Sequence, residues 1–488
     1  MNRKEPGRIV RRLSDYMGQV DWPLLAFLVL IVDVKLLVKI AAIGLAFLLH
    51  RGAAVPRALI RKGWMGFYVA MPVLAGIDLL LSAGSLSVPA LLSFGLGCCY
   101  WLLALAAAWH VFIFVQQVDR DKIHRTLEVF FILHITISLI ALLWICIDCG
   151  SINPYTYQGL HQKYFISTGD FIRGISFDSS VTGALISAFG LFYFLYRGRY
   201  GLSLACMIVL LLTGSNFIDL LLGVIFLLIF IFRTDRVQKS MILVYLLAMV
   251  VFWGKLSPQN KDYAQELLNR IEGLPASVYI PALHPKFNEF AEKPDVVLRK
   301  RSYTSFRDSV YTPAALDSLH RQYAGWDRSG KWIAFRELGD FFRLHPAKLL
   351  LGTGMGNFSS RLAFRTTGLN IGGGYPRGWR YLHPFFRDYY LYIYLYYYTR
   401  DQGRHSVVNS PDSVYLQLLG EYGVAGLICF LFFYVSFFGT NVRRLTYGLP
   451  LLLLLGAAFF MEYWFEQLSI IVLFELLLLL DKANYVKC

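Results

Sequence analysis

The sequence predicts an all-α polytopic membrane protein of about twelve transmembrane helices, with one large extracytoplasmic loop. Three observations carry that expectation. The 488 residues are 56% hydrophobic and their mean hydropathy is +0.50, too apolar for an ordinary soluble domain. The apolar residues come in long blocks such as Leu210 to Phe232 and Val414 to Phe438, near the ~20 residues that cross a bilayer. Short basic connections recur between the blocks, as the positive-inside rule requires.

The blocks are 22–33, 36–49, 63–82, 88–117, 127–147, 179–196, 200–214, 216–232, 241–254, 413–438, 447–460 and 465–480. The basic start (Arg3, Lys4, Arg8, Arg11, Arg12) sets the N-terminus inside, with no cleavable signal peptide expected. Connection 50–62 holds Arg51, Arg57, Arg61 and Lys62, so 22–49 must cross twice or form a re-entrant hairpin turning at Asp33 and Lys35. Arg120, Lys122 and Arg125, Arg197 and Arg199, Arg233, Arg236 and Lys239, and Arg443 and Arg444 mark the later inner connections. The expected organisation is a bundle of about nine spans over 1–254, a functional loop over 255–411 and three spans over 412–488, with both termini cytoplasmic. A loop that long should fold, and 261–272 and 331–344 read as helices within it.

The net charge of +15 is split between short connections and the segment Lys255 to Arg404. A basic loop beside a membrane suits lipid phosphates or anionic substrates rather than nucleic acid. None of the seven cysteines falls in the loop, so neither a disulfide framework nor a zinc site is expected there.

Five stretches could carry chemistry. Arg173, in an Arg-Gly turn ahead of a span, can grip phosphate oxygens in a bidentate fork, or simply snorkel to headgroups. Arg336 and Arg343 lie seven apart on one helix face, which Arg328 joins if the helix starts early. The alternative is a solvated face. Gly352, Gly354 and Gly356 form a turn whose N–H groups could cradle an anion, without the strand and helix of a nucleotide site. The Tyr-rich run 381–398 suggests a strand or an interfacial belt. Asp412-Ser413 would cap the next helix, while the Asp412 carboxylate also stands where chain enters the membrane and could act as a base.

Taken in order, these segments resemble the O-antigen polymerase and O-antigen ligase family. The elements are Arg173-Gly174-Ile175-Ser176-Phe177, Leu212-Thr213-Gly214-Ser215 followed by Asn216 where the family has Arg, Arg328 to Trp332, Gly352 and Gly354, Asp412-Ser413-Val414-Tyr415-Leu416, and Gly423 to Gly426. The resemblance implies a helical membrane glycosyltransferase of GT-C-like architecture in a bacterial inner membrane. Its donor would be an undecaprenyl-pyrophosphate-linked oligosaccharide, used without metal or other cofactor. Asp412 stands where ligases of the family use His, which favours a polysaccharide polymerase over a ligase; a flippase is the reading from another class. On this resemblance Arg173, Arg328 and Arg336 would hold the pyrophosphate and Asp412 would activate the acceptor hydroxyl, with His405 in reserve. Arg343, Trp332, Tyr415 and Gly354 would line the substrate. Membrane lipid and a chain-length regulator would be partners.

Overall fold

A computed structural model describes residues 16–33, 35–49, 63–81, 87–156, 168–257, 309–312, 330–371, 373–398 and 410–486. The N-terminal basic cluster, connection 50–62, the expected helix 261–272, Arg328 and His405 lie outside the described residues. The described residues form helices and turns, with no strand among them. The main helices are α1 (Trp22–Ile31), α2 (Leu36–Leu49), α3 (Met65–Leu81), α4 (Val88–Gln117), α5 (Arg120–Cys149), α6 (Ser180–Tyr196), α7 (Tyr200–Leu212), α8 (Asn216–Phe232) and α9 (Arg236–Val251). They continue with α10 (Gly330–Leu344), α11 (Arg361–Thr366), α12 (Val414–Cys429), α13 (Gly448–Ala458) and α14 (Ser469–Val486).

Local chemistry sets several boundaries. Asp21 accepts from Leu24 N at 2.8 Å and opens α1. Asp235 and Gln238 form a reciprocal capping box at the start of α9. Gly150 takes a left-handed conformation (φ 61°) and ends α5. Ser413 caps α12 by accepting from Tyr415 N at 3.2 Å, so the cap belongs to Ser413 and not to Asp412.

Four helices among the described residues are long and apolar enough to cross a membrane: Val88–Gln117, Arg120–Cys149, Arg236–Leu256 and Val414–Arg444. The chain is thus a multi-pass membrane protein, but the expectation of about twelve spans is corrected. Seven other apolar helices have only 10–17 residues. At 1.5 Å per residue these reach roughly 15–26 Å, short of a ~30 Å hydrocarbon core. Reading every apolar block as a crossing produced the overcount; an apolar block is equally what a buried helix needs.

At the centre stands α14. From Ile470 to Leu478 its side chains are at most 1% exposed, against neighbours from α4, α13 and α6. The connections around Arg233 and Arg443 meet at one end of the bundle, where Arg233 Nη1 donates to Arg443 O at 2.6 Å. A second, smaller core joins α10 to Phe358, Phe364, Leu416 and Tyr463. The Tyr-rich run completes it. That run is helical, with a π-helical turn at Arg387–Leu391, and Tyr390, Tyr392 and Tyr394 are buried. They build a core and not a strand or an exposed interfacial belt.

Candidate functional site

The helix expected over 331–344 is observed as α10, and its first turn supplies the first element of the site. Lys331 points into the junction of the two cores, where Nζ donates to Asp412 O at 2.6 Å and to Met461 O at 3.2 Å. The Asp412 side chain is buried beside it. Oδ2 accepts from Ser410 Oγ at 2.5 Å, whereas Oδ1 has no hydrogen bond among the described residues. The Tyr463 hydroxyl stands next to this carboxyl, but its well-formed bonds run to Tyr390 Oη at 2.7 Å and Ser359 Oγ at 3.0 Å.

Further groups crowd the same junction. Gln467 Nε2 donates to Glu462 Oε2 at 2.5 Å. Glu466 accepts from Gln417 Nε2 at 2.7 Å and from Leu362 N at 3.1 Å. Lys39 of α2 donates to Gln467 O. Arg361, at the start of α11, lies within electrostatic reach of Asp412, Glu462 and Glu466. Asp178 faces Glu462 and Lys39. Four carboxyl groups (Asp178, Asp412, Glu462, Glu466) therefore lie within electrostatic reach of one or more of three cations (Lys39, Lys331, Arg361) in a largely buried space. Burial pushes the Asp412 and Glu462 carboxyls upward, Asp412 despite its bond from Ser410 and the charge of Lys331, and Glu462 further still through Asp412. Burial also raises Glu466 to about 8, helped by the charge of Glu421. Lys331 is lowered to about 8 by burial, against the pull of Asp412 and Glu462. Such groups exchange protons near neutral pH.

The glycine turn docks on α12 beside Glu421, within electrostatic reach of Glu466. Gly352, Gly354 and Gly356 all have positive φ (74°, 87° and 74°). Helix α12 is broken at Gly423 (φ 65°, ψ −162°), and the turn docks onto the break. Thr353 N and Gly354 N each donate at 3.0 Å, to the carbonyls of Gly420 and Glu421. A Cβ on Gly423 would lie 2.5 Å from Leu350 O. The turn does surround a carboxyl group, but an internal one. The buried Glu421 carboxyl, although without a bond of good geometry, sits among the N–H groups of Gly356, Phe358 and Ser359 and the Ser360 hydroxyl. The Gly354 N–H is therefore committed to the fold and is not open to a substrate.

The residues singled out from sequence do not come together. Arg336 and Arg343 lie on the exposed face of α10, 3.7 Å and 3.2 Å from Asp340. Trp332 is 59% exposed. Arg173 is exposed, with Nε donating to Asp170 O at 3.1 Å. Tyr415 ties α12 to α13 through its bond to Gly456 O at 2.7 Å. Only Asp412 belongs to the buried junction. Lys331, Arg361, Glu462 and Glu466 were missed. The available signal was acids inside an apolar neighbourhood, Met461-Glu462-Tyr463-Trp464-Phe465-Glu466.

Chemically, the junction can hold and release protons and present an unpaired carboxyl oxygen beside an ammonium group. No group of three or more His, Cys, Asp or Glu residues that could hold a metal ion occurs among the described residues. The O-antigen family resemblance is corrected on two findings. The four spanning-length helices do not make the many-spanned glycosyltransferase architecture that it implied, so the polymerase, ligase and flippase readings fall with it. Compared with known proteins, the chain matches no family model, no curated protein and no solved structure.

Proposed function

We propose that this chain is a membrane-embedded enzyme whose Asp412 performs acid–base chemistry on a hydroxyl of a membrane-borne substrate. One observation carries the reading: Asp412 Oδ1 is buried without a well-directed hydrogen bond among the described residues, with the Tyr463 hydroxyl next to the carboxyl and Lys331 beside it. An unmet carboxyl oxygen costs about 1–3 kcal/mol or more where it serves nothing. Ser410 orients the carboxyl through its other oxygen. Burial raises the proton affinity of the Asp412 carboxyl, which favours its taking up a hydroxyl proton. Lys331 and Arg361 supply positive charge for an anionic reacting group, and a membrane lipid is the natural partner for a site at the mouth of α12. The basic ends around Arg233 and Arg443 converge, which supports placing them on the cytoplasmic side and Asp412 on the opposite face.

The test is lipid mass spectrometry on cells lacking the gene, complemented by wild-type, Asp412→Asn or Lys331→Met chains at matched expression. A lipid-borne species that accumulates in the deletion should vanish with wild type and persist with Asp412→Asn. Full restoration by Asp412→Asn would overturn the reading.

A further inference from the structure

Helix α14 is packed on every side, yet it carries Glu475 at its middle, fully buried. Tyr68 of α3 donates to Glu475 Oε1 at 2.5 Å. The other oxygen faces Trp64 Nε1 and the Tyr434 hydroxyl. All three of these atoms are buried, and none has a well-directed bond. Tyr434 sits in a π-helical stretch, Phe430–Val435, a local geometry that often marks functional sites. An acid at this depth is expensive to keep in a bundle core unless it is used.

Carboxyls also stand on either side of it along the same segment. Glu462 and Glu466 precede it in the junction described above. Asp481 follows six residues later, about 9 Å along the helix axis, and is held by Thr446 N at 2.8 Å, Thr446 Oγ1 at 2.6 Å and Gly448 N at 2.9 Å. Phe465 directly precedes Glu466 in the chain. Its ring centroid lies 4.9 Å from Phe67, 5.2 Å from Phe459 and 5.3 Å from Tyr434. It also touches Tyr68 at 6.1 Å and Trp101 at 6.0 Å. Tyr68 and Tyr434 surround Glu475, whereas Trp101 bonds the Tyr422 hydroxyl at 2.7 Å, next to Glu421 and Glu466. The Phe465 ring thus lies between two polar layers, with Trp101 packed on Tyr68 beside it at 6.2 Å.

We propose that the chain conducts protons along the line Glu462, Glu466, Glu475 and Asp481, with the Phe465 ring as the gate between the first pair and the centre. When the ring swings aside, water joins the two layers. The O–H bond of Glu466 breaks and its proton passes to that water. The water protonates the Tyr68 oxygen as Tyr68 gives its own proton to Glu475 Oε1. Tyr68 and water end unchanged, Glu466 is a carboxylate and Glu475 carries the proton. A second water takes the proton from Glu475 and delivers it to the Asp481 carboxylate, so Glu475 ends as a carboxylate and Asp481 as the acid. The inference goes beyond acid–base chemistry at Asp412 and depends on different residues, so either can fail alone.

The experiment uses full-length protein in liposomes loaded with a pH-sensitive dye, under a potassium diffusion potential that draws protons inward. Phe465→Ala should acidify the lumen several-fold faster than wild type, and Phe465→Ala combined with Glu475→Gln should return to the rate of protein-free vesicles. Phe465→Leu, which keeps an apolar plug, should stay near wild type and shows that the segment tolerates substitution. A Phe465→Ala protein no leakier than wild type, or a leak that survives Glu475→Gln, overturns the proposal. If Phe465→Ala does not fold, wild-type protein is read by infrared difference spectroscopy. The carboxyl band lost in Glu475→Gln should shift on transfer to D2O, and a band that never shifts overturns conduction.

Discussion

Two ionic regions share one helix and differ in everything but composition. On the outer face of α10, Arg336 and Arg343 flank Asp340, with the Arg343 side chain 83% exposed. At its first turn Lys331 is drawn between Asp412 and Met461. The exposed trio is screened by solvent, and pairs of this kind contribute about 0–1 kcal/mol. The inner group has lost its water, so every unmet oxygen and surplus carboxyl matters. Charge density in the sequence pointed to the first region, and desolvation in the fold points to the second.

The comparison can be broken most severely at the glycine break that shapes the inner region. Gly423→Ala adds a Cβ against the Leu350 carbonyl at a positive φ. Strain and overpacking together should remove on the order of 3 kcal/mol or more, seen as a large drop in the thermal midpoint in detergent. A wild-type midpoint would mean that the turn and helix can separate without loss. Next in size, Asp412→Asn should cost about 10²–10⁴-fold in turnover once the substrate is in hand. It should do so with little change in helix stability, because Ser413 and not Asp412 caps α12.

A smaller effect tests the proton inventory. The folded state raises Glu466 to about 8 from an ordinary 4.5, so it binds more protons than the unfolded chain across that interval. The contribution to stability is complete below the unfolded value and is lost as pH rises through the folded one. The thermal midpoint should therefore fall between pH 5.5 and pH 8, and Glu466→Gln should flatten that slope. Lys331, lowered to about 8, acts with the opposite sign, but only above that window. An unchanged slope in Glu466→Gln would put the titration elsewhere. The smallest effect belongs to the exposed face. Arg336→Ala should alter stability by no more than about 0.5 kcal/mol, and a large loss of stability or turnover would mean that the outer strip belongs to the working site.

What was legible in the sequence follows the range of the physics involved. The α10 helix and the Ser413 cap are local, set by periodicity and by one side chain reaching two residues on, and both could be read directly. The number of spans could not, because Leu36–Leu49 and Gly448–Ala458 are as apolar as membrane helices while being too short to cross unaided. Asp412 stood out by its place ahead of an apolar block. Arg361 did not, since no motif surrounds it and its value comes from acids a hundred residues away in the chain, at Glu462 and Glu466. The glycine turn was visible as a turn, but its guest, Glu421, was not.

That turn has a consequence for how the molecule is made. Residues 352–356 leave the ribosome roughly seventy residues before the helix whose broken rung they fill, a long-range closure of the slow-forming kind. Until α12 is in place, Thr353 and Gly354 have no carbonyls to bond and the cradle of Gly356, Phe358, Ser359 and Ser360 has no Glu421. The finished site is thus a late product of biosynthesis. A chain truncated before Gly423 would carry Lys331 and Asp412 yet lack the break in α12 onto which the glycine turn docks, which makes arrested chains of graded length a direct clock for the assembly of this protein.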